Sequence, residues 1–369
     1  MDYSFSNRIM ALVEGDFESS EFEYKLPRAT SELLEQILDD EETSTTDVSP
    51  TSTPVPHFTG KSNSSDLASE CKTKIGSKKV QQTISKSSPE EIKNLVILIA
   101  PKIAELMTDV YGNYMCQSLF QSANSAQRLF LLRSMKKSLV KIAKDVRGTH
   151  SLQTVISMAS LEEEETLYKE EFSGHIVELA THNYASHVVQ RLIITVKDKS
   201  YIMNELRGSC TALAKDKLGL CVIKKSLDQF EVYKELIKDS LILVQDPYGN
   251  YAIQKVFEVW GKDAYQALYY KFRKSIPQLC VQKFSSNVIE KCMRINFLRE
   301  KFFPELISEE KLQLLLNCPY GCYVLKTAAE CGQPSLKSEL AKRVKSVMHL
   351  LHQKKLKKRW QEIFDLLGL

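Results

Sequence analysis

The ten residues Asp246 to Lys255, DPYGNYAIQK, recur nearly intact as DVYGNYMCQS at Asp109 to Ser118, and looser copies stand at six further places. Aligned on the small residue at their centre, the copies fall at Gly76, Gly112, Gly148, Ala185, Gly219, Gly249, Ser285 and Gly321, spaced by 36, 36, 37, 34, 30, 36 and 36 residues. A period in that range belongs to stacked supersecondary units, none of which buries its own apolar face alone. The fourth residue after the small one is apolar in all eight copies: Val80, Cys116, Leu152, Val189, Ile223, Ile253, Ile289 and Leu325. The third is apolar in six. That pair marks a fixed buried side.

Positions one, two and five after the small residue are mostly polar or planar. In chain order they are Ser77/Lys78/Gln81, Asn113/Tyr114/Gln117, Thr149/His150/Gln153, Ser186/His187/Gln190, Leu220/Cys221/Lys224, Asn250/Tyr251/Gln254, Ser286/Asn287/Glu290 and Cys322/Tyr323/Lys326. On a helix turning about 100° per residue these three share an arc opposite the apolar pair, so the pattern predicts three exposed side chains per motif helix. A polar group, a planar one beside it and a second polar group one turn on suit a flat heterocycle with hydrogen-bonding edges. Stacking contributes about 1 to 3 kcal/mol per base, and the flanking groups read the edge.

Each motif helix has a recognisable start. Asp109, Asp145, Asp216 and Asp246 stand three residues before the small one, where a carboxylate accepts from orphan backbone N–H groups. The small residue itself implies a tight helix start or a close contact with the neighbouring repeat. Glu90 to Leu106 reads as the partner helix of the first motif, Glu162 to Glu165 as a solvated loop or helix start, and the short fifth spacing as a trimmed inter-helix loop. After the eighth motif, Leu340, Val344, Val347, Leu351, Trp360, Ile363, Phe364 and Leu367 recur through Ser335 to Leu369 as a cap over the last open face.

Residues 1 to 65 carry no sustained period and turn Ser/Thr/Pro-rich from Glu41, the composition of a disordered tail. Within them Ser31 to Asp39 reads as a short amphipathic helix suited to a partner's groove. Gly60-Lys61-Ser62 imitates the end of a phosphate loop, but Val55 stands where that loop needs glycine. Residues 1 to 50 hold 13 acidic and 3 basic side chains, a net of −10, so with +4 for the chain the other 319 residues carry +14. The repeat region is therefore basic, as a nucleic-acid binder's is.

No apolar run approaches the roughly 20 residues of a membrane span, and the N-terminal IMALV is too short, with acidic flanks, for a secretory signal. Nine cysteines without a CxxC pair fit a reducing compartment, where cysteine packs as a small apolar residue. Cys318/Cys322 and His349/His352 have ligand-like spacings but belong to different helices, and packing accounts for them without a metal. No HExxH, GxGxxG, complete phosphate loop or nucleophile elbow appears, so an enzyme is the weakest reading, and no cofactor is implied.

At the triplets the sequence resembles the Pumilio (PUF) family of RNA-binding repeat proteins, from about residue 67 to the C-terminus. NYxxQ at Asn113 and Asn250 and SNxxE at Ser286 stand in the second, sixth and seventh places, where that family has them, and SKxxQ at Ser77 matches its first-repeat SRxxQ with Lys for Arg. The resemblance implies an all-α, right-handed crescent of eight three-helix repeats with a C-terminal cap, spanning residues 66 to 369. It implies a monomeric cytoplasmic protein binding single-stranded RNA in messenger 3′ untranslated regions, antiparallel and one base per repeat. Repression or decay of the messenger would follow, with effector machinery for deadenylation or repression docking on the acidic tail. The fifth and eighth triplets depart from the family's CRxxQ and NYxxQ: Leu220 cannot hydrogen-bond, Cys221 offers little surface, and Lys224 and Lys326 only donate.

Two other classes share parts of this pattern. A protein-binding solenoid of the armadillo or HEAT type has the period and the cap without needing triplets in register. A nucleolar relative that binds precursor ribosomal RNA by shape shares the basic charge. The basic cluster Lys354 to Arg359 reads as a solvated helix face, with phosphate contact or a nuclear signal as the alternatives.

Overall fold

The computed structural model describes residues 63–369, and these are helical throughout with no strand. The expected tail, the Ser31 to Asp39 helix and the Gly60-Lys61-Ser62 segment lie outside the described residues, save that the first helix, Ser64–Cys71, starts within the last positions assigned to the tail and is capped by Asn63.

Eight motif helices begin at or just before the aligned small residues: Lys74–Ile84, Gly112–Ser122, Gly148–Ser157, Ala185–Thr195, Gly219–Lys225, Gly249–Trp260, Ser285–Arg294 and Pro319–Cys331. A short helix precedes each and a further helix follows, giving a three-helix unit. Each motif helix packs on the next, and the eighth packs on the terminal helix Lys357–Leu367. The apolar residue shared by all eight copies is buried everywhere, from 3% exposed at Val80 to 0% at Ile253 and Ile289. The core is thus one continuous layer threaded through every repeat.

The start of each motif helix follows from two local devices. Asp109 Oδ1 accepts from Tyr111 N (2.9 Å) and Gly112 N (2.8 Å), and Asp145, Asp216 and Asp246 do the same for their own copies. His182 Nδ1 takes this place in the fourth repeat, and the Thr73 hydroxyl in the first. The central glycine answers first to a close approach within its own repeat, and at Gly148 also to the neighbouring repeat, where Thr108 Cγ2 would lie 3.1 Å from a Cβ. A Cβ on Gly249 would sit 2.7 Å from the carbonyl oxygen of Leu243, and one on Gly321 2.5 Å from that of Leu315, six residues back in each case. Where serine stands instead, Ser285 Oγ donates to the equivalent Leu279 carbonyl at 2.7 Å, turning the clash into a hydrogen bond.

Three expectations about the connections are corrected. The partner segment of the first motif is two helices, Pro89–Ile99 and Ile103–Met107, joined through a 3₁₀ turn at Ala100–Lys102 that holds Pro101. Proline removes a backbone donor and its ring crowds the preceding turn, so a single helix cannot run through it. The Glu162 run does start a helix, Glu162–Phe172, but Glu164 is only 1% exposed. Its carboxylate accepts from the backbone N–H of Ser160 and Leu161 and pairs with Arg128 at 3.5 Å. The short fifth spacing comes out of helices as well as loops: its motif helix has 7 residues and the next, Phe230–Lys238, has 9, against 11 and 11 in the second repeat. Tyr233 stacks on Trp260 with ring centroids 4.3 Å apart, and the indole N–H donates to the Leu227 carbonyl, closing the shortened repeat.

The C-terminal cap is as expected. Leu340, Val344, Val347, Trp360 and Ile363 are buried, while Leu351, Phe364 and Leu367 pack against the core from its edge.

Candidate nucleic-acid interface

The three triplet positions differ in burial, and the difference is constant along the array. The second member is exposed in every repeat: Lys78, Tyr114, His150, His187, Cys221, Tyr251, Asn287 and Tyr323. The third is half-buried in every repeat: Gln81, Gln117, Gln153, Gln190, Lys224, Gln254, Glu290 and Lys326. The first, expected to be exposed, is buried in all eight: Ser77, Asn113, Thr149, Ser186, Leu220, Asn250, Ser286 and Cys322. A helical wheel places it on the polar arc, but that arc borders the seam with the next repeat. Ser77 Oγ donates across this seam to the Tyr111 carbonyl at 2.7 Å, and Thr149 Oγ1 to the Tyr184 carbonyl at 3.0 Å.

The buried first member orients the third. Asn113 gives its amide hydrogens to the Asp109 and Val110 carbonyls, which turns its Oδ1 toward Gln117 Nε2 at 3.2 Å. Asn250 repeats this with Gln254 at 3.0 Å. Gln81 donates to Ser77 Oγ, and Gln153 to Thr149. A glutamine fixed in this way keeps its carbonyl oxygen and one amide hydrogen available side by side, an acceptor next to a donor. Glu290 has no such bond; Ser286 Oγ turns to the Lys283 carbonyl instead. Burial pushes the Glu290 carboxyl above its usual pKa, with Arg294 opposing the shift and Glu330 adding to it.

Consecutive triplets share one face. Thr154 Oγ1 reaches Gln117 Oε1 from the next repeat, His150 disfavours protonation of His187 after burial has already lowered its pKa, and Lys224 Nζ lies 5.6 Å from the centre of the Tyr251 ring. In the fifth repeat Lys224, itself held below the ordinary lysine pKa by burial, therefore covers a neighbouring ring.

The eighth repeat differs again. The Arg359 guanidinium lies over the Tyr323 ring, 4.6 Å from its centre, and Lys326 Nζ pairs with Glu362 at 2.8 Å. The Lys354 to Arg359 cluster is thus a solvated face only in part, since Arg359 is half-buried. Reading the motif copies alone misses Arg359 and Glu362. The signals present were the cation at position 326, which favours a counter-charge, and Glu362 one turn beyond a run of bases.

Among the described residues no group of three His, Cys, Asp or Glu side chains is placed to hold a metal, and no helix is long and apolar enough to cross a membrane. Cys322 is buried, with its thiol pushed up to about 12 by desolvation, and its Sγ donates to the Leu316 carbonyl. All nine cysteines are free.

Residues 136–265 match the NOP9-like PUF repeat domain, and residues 102–134, 275–295 and 317–344 match the Pumilio-family RNA binding repeat. A Pumilio domain-containing protein of Schizosaccharomyces pombe is 29% identical over 77% of this chain and 43% of its own length; Pumilio homolog 12 of Arabidopsis thaliana is 30% identical over 74% and 48%. The chain thus spans about half the length of these curated relatives. Among solved structures, the Puf4 RNA binding domain bound to the HO endonuclease RNA 3′ UTR recognition sequence is 26% identical, with a TM-score of 0.76 over 81% of this chain and 97% of that one. The RNA-binding domain of yeast Puf5p shares the fold at a TM-score of 0.70. With its period, its three-helix units and its matches running from the second repeat to the eighth, the chain belongs to the Pumilio family of repeat proteins.

Proposed function

We propose that this chain binds single-stranded RNA base by base and controls messenger RNA after transcription, as a binder rather than an enzyme. One observation carries the reading: an exposed planar or polar second member beside a half-buried third member oriented from below, in register on consecutive helices. Gln117 and Gln254 present an acceptor and a donor, which match the N3–H and a carbonyl of uracil. Glu290 presents acceptors only, which match the N1–H and N2–H₂ of guanine. Bound antiparallel, the seventh and sixth repeats read GU, the fifth reads loosely, and the second and first read UA.

The likeness to Puf4, whose RNA binding domain was solved bound to a 3′ UTR recognition sequence, supports a messenger target and, with it, a cytoplasmic site of action. The match of residues 136–265 to a NOP9-like domain favours a second reading, in which the array holds structured precursor RNA by shape. Competition decides between them. A short single strand containing UGU, added to the full chain, should displace a labelled copy of itself at least tenfold better than its scrambled sequence or a duplex of equal length. Equal displacement by duplex supports the second reading, and no displacement by any RNA overturns both.

A further inference from the structure

We propose that the terminal helix Lys357–Leu367 occupies the eighth reading set, so that the array reads from its seventh repeat and is blind to the base that would face the eighth. The inference rests on base-by-base reading of RNA and specifies where that reading ends. Three contacts converge there. The Arg359 guanidinium lies 4.6 Å from the centre of the Tyr323 ring, so one ring face already carries a planar cation where a base would compete to stack. Glu362 Oε2 holds Lys326 Nζ at 2.8 Å, with Glu330 at 3.9 Å, so the group at the edge-reading position is already paired. Cys322 is 1% exposed and turned to backbone carbonyls beneath.

The helix is held in this place by an anchor apart from those contacts. Trp360 is buried and donates through Nε1 to the Leu316 carbonyl at 2.7 Å, and Ile363 is fully buried. With the helix fixed by these two residues, Arg359 and Glu362 meet Tyr323 and Lys326 without further ordering of the chain. Arginine suits this place because a planar guanidinium stacks on an aromatic face as a base does. The lysine at position 326 then has a physical reason: it is the counter-charge of a helix belonging to the same chain.

The test varies one base. Full-length protein is titrated with single strands of fixed core that carry A, C, G or U at the position facing the eighth repeat, or that lack it. Wild type should bind all five within twofold. Arg359→Ser with Glu362→Gln, which leaves Trp360 and Ile363 in place, should make that base worth fivefold or more in affinity. The proposal is overturned if wild type already discriminates fivefold there, or if the double variant remains indifferent. Changing the base facing the seventh repeat is the control: it should weaken binding in both proteins, and indifference there would refute base reading itself. A readout without RNA then judges the contact alone. Acylation of Lys326 by an N-hydroxysuccinimide ester, followed by peptide mass spectrometry, should run at least threefold faster in Glu362→Gln than in wild type, and equal rates contradict the pairing.

Discussion

A carboxylate and an amide differ by one proton donor, and under the proposed reading that difference at position 290 should set both a base preference and a pH dependence. Burial raises the pKa of Glu290, so the carboxylate proposed to accept from guanine is lost at a higher pH than an exposed glutamate would be. We expect the preference for guanine over adenine at the seventh repeat to fall as pH drops from 7.5 to 5, measured by fluorescence anisotropy. Preference at the sixth repeat, read by Gln254, should hold over the same range. Stability moves the other way. A raised folded pKa favours the fold below the unfolded value near 4.3 and loses that advantage as pH rises through the folded value. Glu290→Gln should therefore raise the urea midpoint at pH 7.5 relative to wild type, and the gain should shrink at pH 4.5. Gly249→Ala should cost about 1 to 3 kcal/mol, because its Cβ meets the Leu243 carbonyl at 2.7 Å. The apolar fourth position was legible from the sequence because period alone assigns it. The burial of Asn113 and Asn250 was not, since a single helical wheel carries no knowledge of the seam with the next repeat.

Between elements, the ion pair of Arg128 and Glu164 joins the third helices of consecutive repeats while the same carboxylate caps its own helix. Glu164→Ala leaves Arg128, 13% exposed, without its counter-charge, and removes the single oxygen that accepts from two backbone N–H groups. A loss of about 3 to 5 kcal/mol is expected by chemical denaturation. A change below 1 kcal/mol would mean that the pair is solvated. Four glutamates in a row look like a water-facing start, and nothing in their spacing tells that the third of them turns inward. The fifth repeat is similar: its short spacing was plain, but the shortened helices and the Tyr233–Trp260 stack that closes over them depend on tertiary packing.

Across the whole molecule, the triplets form one layer along an array whose sequence carries net positive charge, and the acidic segment 1–50 stands outside the described residues. If the array's lysines and arginines neutralise phosphates, the logarithm of the RNA association constant should fall linearly with the logarithm of salt, by about 0.7 per phosphate contact for a single strand. Removing residues 1–60 should leave affinity equal or slightly higher, checked in the same titration, and a large loss would assign that segment to RNA contact. The solenoid, its eight motif helices and the cap were legible because each rests on periodicity. The closing of the eighth triplet by Arg359 and Glu362 was not, because it joins residues from different elements that no repeat relates. The most direct test of the account exchanges the reader at one repeat. Ser286→Asn with Glu290→Gln installs in the seventh repeat the pair that Asn250 and Gln254 form in the sixth, and affinities for RNAs with G or U at the facing position should exchange order by about 1 to 3 kcal/mol. A double variant that still prefers G, or a wild type that binds both RNAs and a scrambled strand equally, would contradict reading by these side chains.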